Sequence, residues 1–259
     1  MIDFGSEPFS FLGEKLRFGL FGKSHGPCVG CVLTGVPAGT PVDIDRMIQE
    51  LALRKPSTGI GTDRKESDIP VIVSGVRDGV ADGTPIRIEI ANGNTDGSKY
   101  LQFKRTPRPG HADLPALVKW DDFDIRGGGQ FSGRLTAAVV AAGSIAKDML
   151  AEKGIEVCAF SRSVGKVADI SQRTMEDARQ SRGFPTRACT PVLDMAMSNA
   201  ITAARGDGDS IGGIAECIVT GLPIGFGGIW FESLDSEIAK AVFSIPGCKG
   251  VEFGKGFGM

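Results

Sequence analysis

The sequence of 259 residues has few aromatic residues, few histidines and little net charge. Phe, Trp and Tyr make up 7% of it, with one tyrosine and two tryptophans, and the histidines are His25 and His111. A net charge of −2 argues against a nucleic-acid-binding surface spread over the whole protein, so we expect no nucleic-acid partner. The hydrophobic share of 41% excludes a disordered chain and suffices for a folded core.

The sequence also lacks a long apolar run. The longest mostly apolar stretch, 135–146, is too short to cross a bilayer and contains Thr136 and Gly143. Asp3 and Glu7 stand where a secretory signal would carry positive charge. The six cysteines are scattered along the chain, a pattern typical of reduced thiols. We therefore expect a cytoplasmic protein with no membrane partner.

Cys28 and Cys31 have the spacing of half a zinc site. No second cysteine pair and no suitably spaced histidine completes such a site. Their spacing would also place the two thiols on opposite faces of a strand. We therefore predict two thiols of the core and no metal.

Glycine is abundant, with 37 residues or about twice the usual share of roughly 7%. Asp43 is the predicted cap of a helix that ends at Lys55-Pro56, and 92–111 is predicted to be a long loop. Strands that follow one another before helices intervene favour an α+β fold, and with no linker or repeat we predict one domain over 1–259. The other predicted elements are strands near 16–20, 29–34, 71–76, 86–90, 156–160 and 214–220, and helices over 135–153, 191–204 and 234–243.

The segment Phe21-Gly22-Lys23-Ser24-His25-Gly26 contains the Gly-Lys-Ser that ends a phosphate-binding loop of nucleotide hydrolases. That loop requires a glycine at position 17, where Arg17 stands, and a helix after Ser24, where a strand is predicted. A nucleotide hydrolase is therefore the weaker interpretation. A histidine between a hydroxyl and a glycine is instead a position where a substrate can reach the ring.

Two other segments carry groups suited to an anionic ligand. In 105–113, prolines stiffen a loop in which two arginines precede His111, a combination that suits anion binding and proton transfer. In 126–134, three consecutive glycines precede a helix, so that backbone N–H groups can approach a phosphate. Further basic residues predict a locally basic pocket, namely Arg54, Lys55, Arg64 and Lys65.

Together these segments resemble chorismate synthases. The resemblance rests on 21–26, on Arg108-Pro109-Gly110-His111-Ala112-Asp113 and on Arg126-Gly127-Gly128-Gly129-Gln130-Phe131-Ser132-Gly133-Arg134. Further matching blocks lie at 74–76, 83–85, 206–213 and 249–254, and the likeness runs in order from about Gly13 to the last residue.

The resemblance implies a reaction and a fold. The family converts 5-enolpyruvylshikimate 3-phosphate to chorismate in the shikimate pathway by a 1,4-anti elimination of phosphate. It requires reduced FMN, without net redox change, and NADPH is a further expected reductant. The implied fold is an α+β, β-α-β sandwich with long antiparallel sheets, assembled as a homotetramer.

The resemblance also implies roles for individual residues. His25 would protonate or steady the leaving phosphate, and His111 would support the charge of the flavin. The implied flavin contacts are Gln130, Phe131, Ser132, Pro246 and Gly247, and the implied substrate or NADP contacts are Arg54, Arg108 and Arg134.

Some positions depart from the family pattern. Lys23 replaces a usual glutamate, Gln130 replaces a common Arg or His, and 57–61 lacks an arginine for which Arg64 is the nearest replacement. Family members continue beyond the point where this sequence stops, with a flavin-binding Lys/Thr stretch and a late Arg-His-Asp motif. We therefore expect a fold incomplete at its C-terminus. An active enzyme and an impaired homologue that keeps the fold and weak flavin binding both remain open.

Overall fold

The computed structural model describes residues 5–55, 57, 60–61, 66–93, 95–121 and 123–258. The predicted basic residues Arg64 and Lys65 lie outside this part of the chain. The strands are β1 Ser10–Leu12, β2 Arg17–Gly22, β3 Cys28–Thr34, β4 Pro70–Ser74, β5 Val76–Arg77, β6 Val80–Ala81, β7 Ile86–Ala91, β8 Glu156–Val164, β9 Val167–Ala168 and β10 Gly213–Thr220. The α-helices are α1 Ile44–Arg54, α2 Asp113–Lys119, α3 Thr136–Ala151, α4 Met175–Gln180, α5 Pro191–Gly206 and α6 Leu234–Phe243.

The chain divides into two compact units. The first takes its described residues from 5–52, 66–145 and 224–258, and the second from 53–61 and 146–223. The single domain expected from the sequence stays a prediction.

The first unit is built on a five-stranded antiparallel sheet in the order β1-β2-β3-β7-β4. Strands β2 and β3 form a hairpin in which Gly22 pairs with Val29, so the residues between them project from one end of the sheet. On the other side of β3, Ala91 at the end of β7 pairs with Cys28. The end of β7 therefore lies beside the hairpin turn.

The core of the first unit follows the alternation of its strands. Phe21, Val29, Ile88 and Ile90 are fully buried, and in β7 the burial of Ile86, Ile88 and Ile90 follows the predicted alternation of apolar residues. Cys31 is buried among them, and burial raises the pKa of its thiol to about 12. Its thiol therefore stays protonated at neutral pH.

Helix α1 begins as the sequence predicts. The side chain of Asp43 accepts a hydrogen bond from the backbone N–H of Arg46 at 3.0 Å, which satisfies one of the free donors of the first turn. Helix α3 buries the small residues Ala137, Ala138 and Ala141. Its chain reverses at Gly154, which has a φ of 74° and donates to the carbonyl of Ala151.

The second unit contains a three-stranded antiparallel sheet in the order β10-β8-β9, with helices α4 and α5. Cys158 and Phe160 of β8 form a small core with Ala178 and Cys189. Thr174 and Asp177 exchange hydrogen bonds as a capping box at the start of α4, and Thr190 caps α5.

The α+β architecture is confirmed, as are the main predicted strands and helices. The prediction of a loop over 92–111 is wrong in part, because Ser98–Lys104 form a 3₁₀ helix. Its side chains Tyr100 and Phe103 pack against the buried cluster of Ala116, Phe123 and Ile125. No helix in the described part of the chain is long and apolar enough to span a membrane.

Candidate active site

His25 lies in the turn that joins β2 to β3, and we call Lys23–Gly26 the histidine turn. The turn is closed by a hydrogen bond from Gly26 N to Lys23 O at 3.0 Å, and Ser24 N donates to Gly129 O at 3.1 Å. His25 is 8% exposed. Strand β3 follows the turn where a phosphate loop requires a helix, so the phosphate-loop interpretation lacks its required geometry.

The triple glycine forms the opposite wall of the site. Gly127, Gly128 and Gly129 have φ values of 58°, 82° and 54°, in the left-handed region that favours glycine. A Cβ atom on Gly127 would lie 2.6 Å from Cδ2 of His25 and 2.7 Å from Oγ of Ser24. Only the absence of a side chain lets this backbone approach the imidazole.

Tyr100 joins His25 to Arg108. Its ring centroid lies 5.6 Å from that of His25, and the Cζ atom of Arg108 lies 5.5 Å from the Tyr100 centroid and 4.9 Å from that of Phe103. Cation–π attraction of this kind orients a guanidinium group. The structure therefore brings two predicted site residues, His25 and Arg108, to one tyrosine.

Asp113 fixes Arg108 from its other side. Its carboxylate accepts hydrogen bonds from Arg108 Nε at 2.7 Å, Nη2 at 2.9 Å and the backbone N–H at 3.1 Å. The Asp113 side chain is 2% exposed. Hydrogen bonds from the Arg108 side chain hold the pKa of the Asp113 carboxyl below its ordinary value. This pair makes the Arg108 side chain a rigid part of the site.

We expect Asp113→Asn to destabilise the protein at neutral pH by about 1–3 kcal/mol, because the amide cannot accept the same charge-assisted bonds. A lowered pKa in the folded state gives stability that is present above the unfolded pKa of about 3.9 and is lost as the pH falls through the folded pKa. The difference in unfolding free energy between wild type and variant should therefore be constant near pH 7 and shrink below about pH 4. Urea unfolding at several pH values measures it. A difference independent of pH, or an equal loss in the exposed control Asp121→Asn, would contradict this account.

His111 lies on the exposed side of the same loop. Its Nδ1 atom lies 3.0 Å from the carbonyl oxygen of Pro109. This contact fixes the ring against its own loop and leaves the imidazole accessible. Its assignment to the flavin stays a prediction.

Arg134 is a buried member of the site. Its Nη1 atom donates to Asp68, whose φ is 51°, and the two side chains are 3% and 1% exposed. Its Nε atom donates to Oδ1 of Asn92 at 2.9 Å and its Nη2 atom to the carbonyl of Ala91 at 3.0 Å. All three nitrogens of the guanidinium group therefore bind protein oxygens in this structure, and the predicted substrate contact of Arg134 stays a prediction.

The segment after the triple glycine offers groups for a cofactor. Gln130 is 7% exposed, and neither its Nε2 nor its Oε1 atom has a hydrogen-bond partner in the described structure, a condition shared by Nδ1 of His25. Phe131 is 42% exposed and lies 5.6 Å from Trp120 and 6.0 Å from Phe123 between ring centroids. Buried polar groups in folded proteins nearly always have a hydrogen-bond partner. Because the Gln130 amide has none among the described residues, it is available to a ligand.

The remaining predicted residues lie elsewhere. The hydroxyl of Ser132 accepts a hydrogen bond from Arg134 N at 3.3 Å, which caps the turn before α3. Pro246 and Gly247 are exposed in the turn after α6, and no described hydrogen bond joins them to the histidine turn. Arg54 ends α1 and belongs to the second unit. The roles predicted for Pro246, Gly247 and Arg54 stay predictions.

Sequence reasoning missed Tyr100, Asn92 and Asp68. Tyr100 is the one tyrosine of the chain, which is a weak signal of a special position. Asn92 directly follows an alternating strand, where an amide often ends the pairing. Asp68 has no signal in the sequence, because its role depends on a partner 66 residues away.

These elements define an α+β protein with a candidate site for an anionic small molecule. A histidine, an aromatic-supported arginine and a glycine-rich backbone converge on one end of the sheet. The arrangement can bind an anion and donate a proton to it.

Comparison with known proteins specifies the family. The family model for chorismate synthase matches residues 16–259. The chorismate synthases of Thermococcus kodakarensis and Pyrococcus abyssi are each 43% identical to the chain, with 95% of this chain and 69% and 68% of those proteins covered. A crystal structure of chorismate synthase matches with a TM-score of 0.79 and 30% identity, over 95% of this chain and 71% of that one.

The chain belongs to the chorismate synthase family. The resemblance inferred from the three motif segments is thereby confirmed. The family is one of lyases of aromatic amino acid biosynthesis that act on a small-molecule substrate.

Proposed function

We propose that this chain is a chorismate synthase, a carbon–oxygen lyase that eliminates phosphate from 5-enolpyruvylshikimate 3-phosphate to give chorismate. The observation that carries the proposal is the buried imidazole of His25, held between the backbone of Gly127 and the ring of Tyr100. The elimination breaks a C–O bond and leaves charge on a phosphate, which a nearby proton donor stabilises.

In this proposal His25 is the proton donor to the leaving phosphate. The ring is nearly buried, so water competes little for the hydrogen bond that it donates. Arg108 is 21% exposed at its side chain, and its orientation is fixed by Asp113 and Tyr100, so it would hold an anionic group of the substrate. A preorganised guanidinium binds an anion without first losing side-chain entropy.

The residues present suit reduced FMN. The unpartnered amide of Gln130 and the exposed face of Phe131 would hold its polar ring edge and its aromatic ring, with Pro246, Gly247 and Ser132 as further predicted contacts. Reduced FMN, when bound there, would supply an electron that is returned within the cycle, so that the reaction would have no net redox change. The exposed imidazole of His111 would support the charge on the bound flavin.

The proposal extends to the setting of the reaction, as the family resemblance implies. It includes a homotetramer, a cytoplasmic location and NADPH as a reductant of the flavin. It also assigns Arg54 and Arg134 to the substrate or NADP.

The test is anaerobic incubation of the purified chain with 5-enolpyruvylshikimate 3-phosphate and chemically reduced FMN. We expect inorganic phosphate and chorismate to appear in equal amounts, and His111→Ala to abolish this turnover while the circular dichroism spectrum stays unchanged. No phosphate release by folded, flavin-loaded protein would contradict the proposal in favour of an impaired homologue. ATP hydrolysis that depends on Lys23 would instead support the nucleotide hydrolase.

A further inference from the structure

We propose that Asn92 is a positioning residue that sets the place of the His25 imidazole. Its consequence for turnover rests on the proposed function, whereas its consequence for the geometry of His25 does not. Asn92 lies outside the motif segments 21–26, 105–113 and 126–134.

The position of Asn92 follows from the register of the sheet. It is the residue after β7, whose last residue pairs with the first residue of β3. The backbone N–H of Asn92 donates to the carbonyl of Pro27 at 3.0 Å and so extends this pairing by one step. The side chain of Asn92 is thereby held beside the histidine turn.

The carboxamide of Asn92 uses both of its polar atoms. Its Nδ2 atom donates to the carbonyl of Lys23 at 3.0 Å and to the carbonyl of Gly26 at 2.8 Å. These two carbonyls bracket Ser24 and His25. Each of its two N–H groups therefore binds one end of the histidine turn.

Arg134 fixes the orientation of this carboxamide. Its Nε atom can only donate, and it donates to Oδ1 of Asn92, so the nitrogen of the amide must face the turn. Arg134 is itself held by Asp68 and by the carbonyl of Ala91. A connected and partly buried set of hydrogen bonds of this kind is rigid.

The other side of the histidine turn is held by the triple glycine. Ser24 N donates to Gly129 O, and the backbone of Gly127 contacts the imidazole. Without the Asn92 side chain the turn loses both hydrogen bonds on this side, and the ring can move relative to Gly127 and Tyr100. Misplacement of a reacting group by about 1 Å costs on the order of 100-fold in rate.

The sharpest variant is Asn92→Asp, which keeps the size of the side chain but replaces its donor group by an acceptor that faces two carbonyl oxygens. The readout is the pair of imidazole Cε1–H signals in an NMR spectrum of the full chain with labelled histidine. Because the chain has two histidines, His111→Ala assigns both signals. We expect the signal of His25 to shift and that of His111 to stay in place.

Three further variants complete the experiment. Asn92→Ala removes the donors without placing a carboxylate next to the two carbonyl oxygens, and it should shift the same signal. It also replaces Asn92→Asp in the experiment if that variant does not fold. Asn92→Gln keeps the donors and should return the signal part of the way. The control Asn199→Ala changes an exposed asparagine of α5 and should shift neither signal.

Turnover gives a second, separate readout. We expect Asn92→Asp to lower kcat about 10- to 100-fold with a smaller change in KM, because the substrate contacts remain while the proton donor is misplaced. An unchanged His25 signal in folded Asn92→Asp and Asn92→Ala, or an equal shift of both histidines, would overturn the proposal. If the His25 signal shifts in Asn92→Asp but the wild-type protein shows no turnover, the result counts against the proposed function and not against the positioning role of Asn92.

Discussion

Replacing His25 by alanine is expected to lower kcat for phosphate elimination by about 10²–10⁴-fold, the usual contribution of a general acid. In the proposed reaction the leaving phosphate takes its proton from this imidazole, and a methyl group offers none. The fold should persist, because Nδ1 of His25 binds no described partner and the turn is held by backbone and Asn92 hydrogen bonds. Phosphate release in a single turnover with reduced FMN measures the loss.

Two controls separate chemistry from folding in this experiment. Thermal unfolding should give His25→Ala a midpoint within a few degrees of wild type, since about 1 kcal/mol shifts the midpoint of such a chain by roughly 2–4 °C. FMN titration should give similar affinities for the two proteins. A His25→Ala protein that keeps the wild-type kcat would refute the role given to this residue.

The largest effect on stability is expected from Arg134→Met. The variant removes the Arg134 cation from the Asp68 carboxylate, which is 1% exposed, and removal of one partner of a buried ion pair costs about 3–5 kcal/mol. It also removes the donor that orients Asn92. Urea or thermal unfolding of the purified variant measures the loss.

A double variant and a surface control make this prediction specific. Arg134→Met combined with Asp68→Asn removes the buried charge of Asp68 together with that of Arg134, and asparagine tolerates the positive φ of Asp68, so part of the stability should return. Arg179→Met breaks two ion pairs between exposed side chains, with Glu156 and with Glu176, and it should cost much less stability than Arg134→Met. Equal losses from Arg134→Met and Arg179→Met would show that the burial of Asp68 does not matter.

Most of the secondary structure could be predicted because its signals are local. The alternation around Phe18 and Ile88 predicts the strands that form there, and Asp43 caps the helix that it is predicted to begin; each signal acts within a few residues. The short helices Asp113–Lys119 and Met175–Gln180 were missed, since one or two turns carry too few apolar residues to show a period.

The candidate site was predictable only in part. The motifs identified His25, Arg108 and the triple glycine, because their residue types suit an anionic ligand wherever they lie. Tyr100 was not identified, although it contacts both His25 and Arg108. Its role depends on a 3₁₀ helix in a segment whose polar composition predicts a loop.

The sequence alone determined the family, the main elements and the types of chemical group available. With two histidines in the chain, it also limited the candidate imidazoles to His25 and His111. Only the tertiary structure decided which of these groups meet. The hydrogen bonds from Asn92 to the histidine turn span 69 and 66 residues, and that from Arg134 to Asn92 spans 42. Such contacts are set by the register of β3 on β7, which brings together parts of the chain that no local pattern relates.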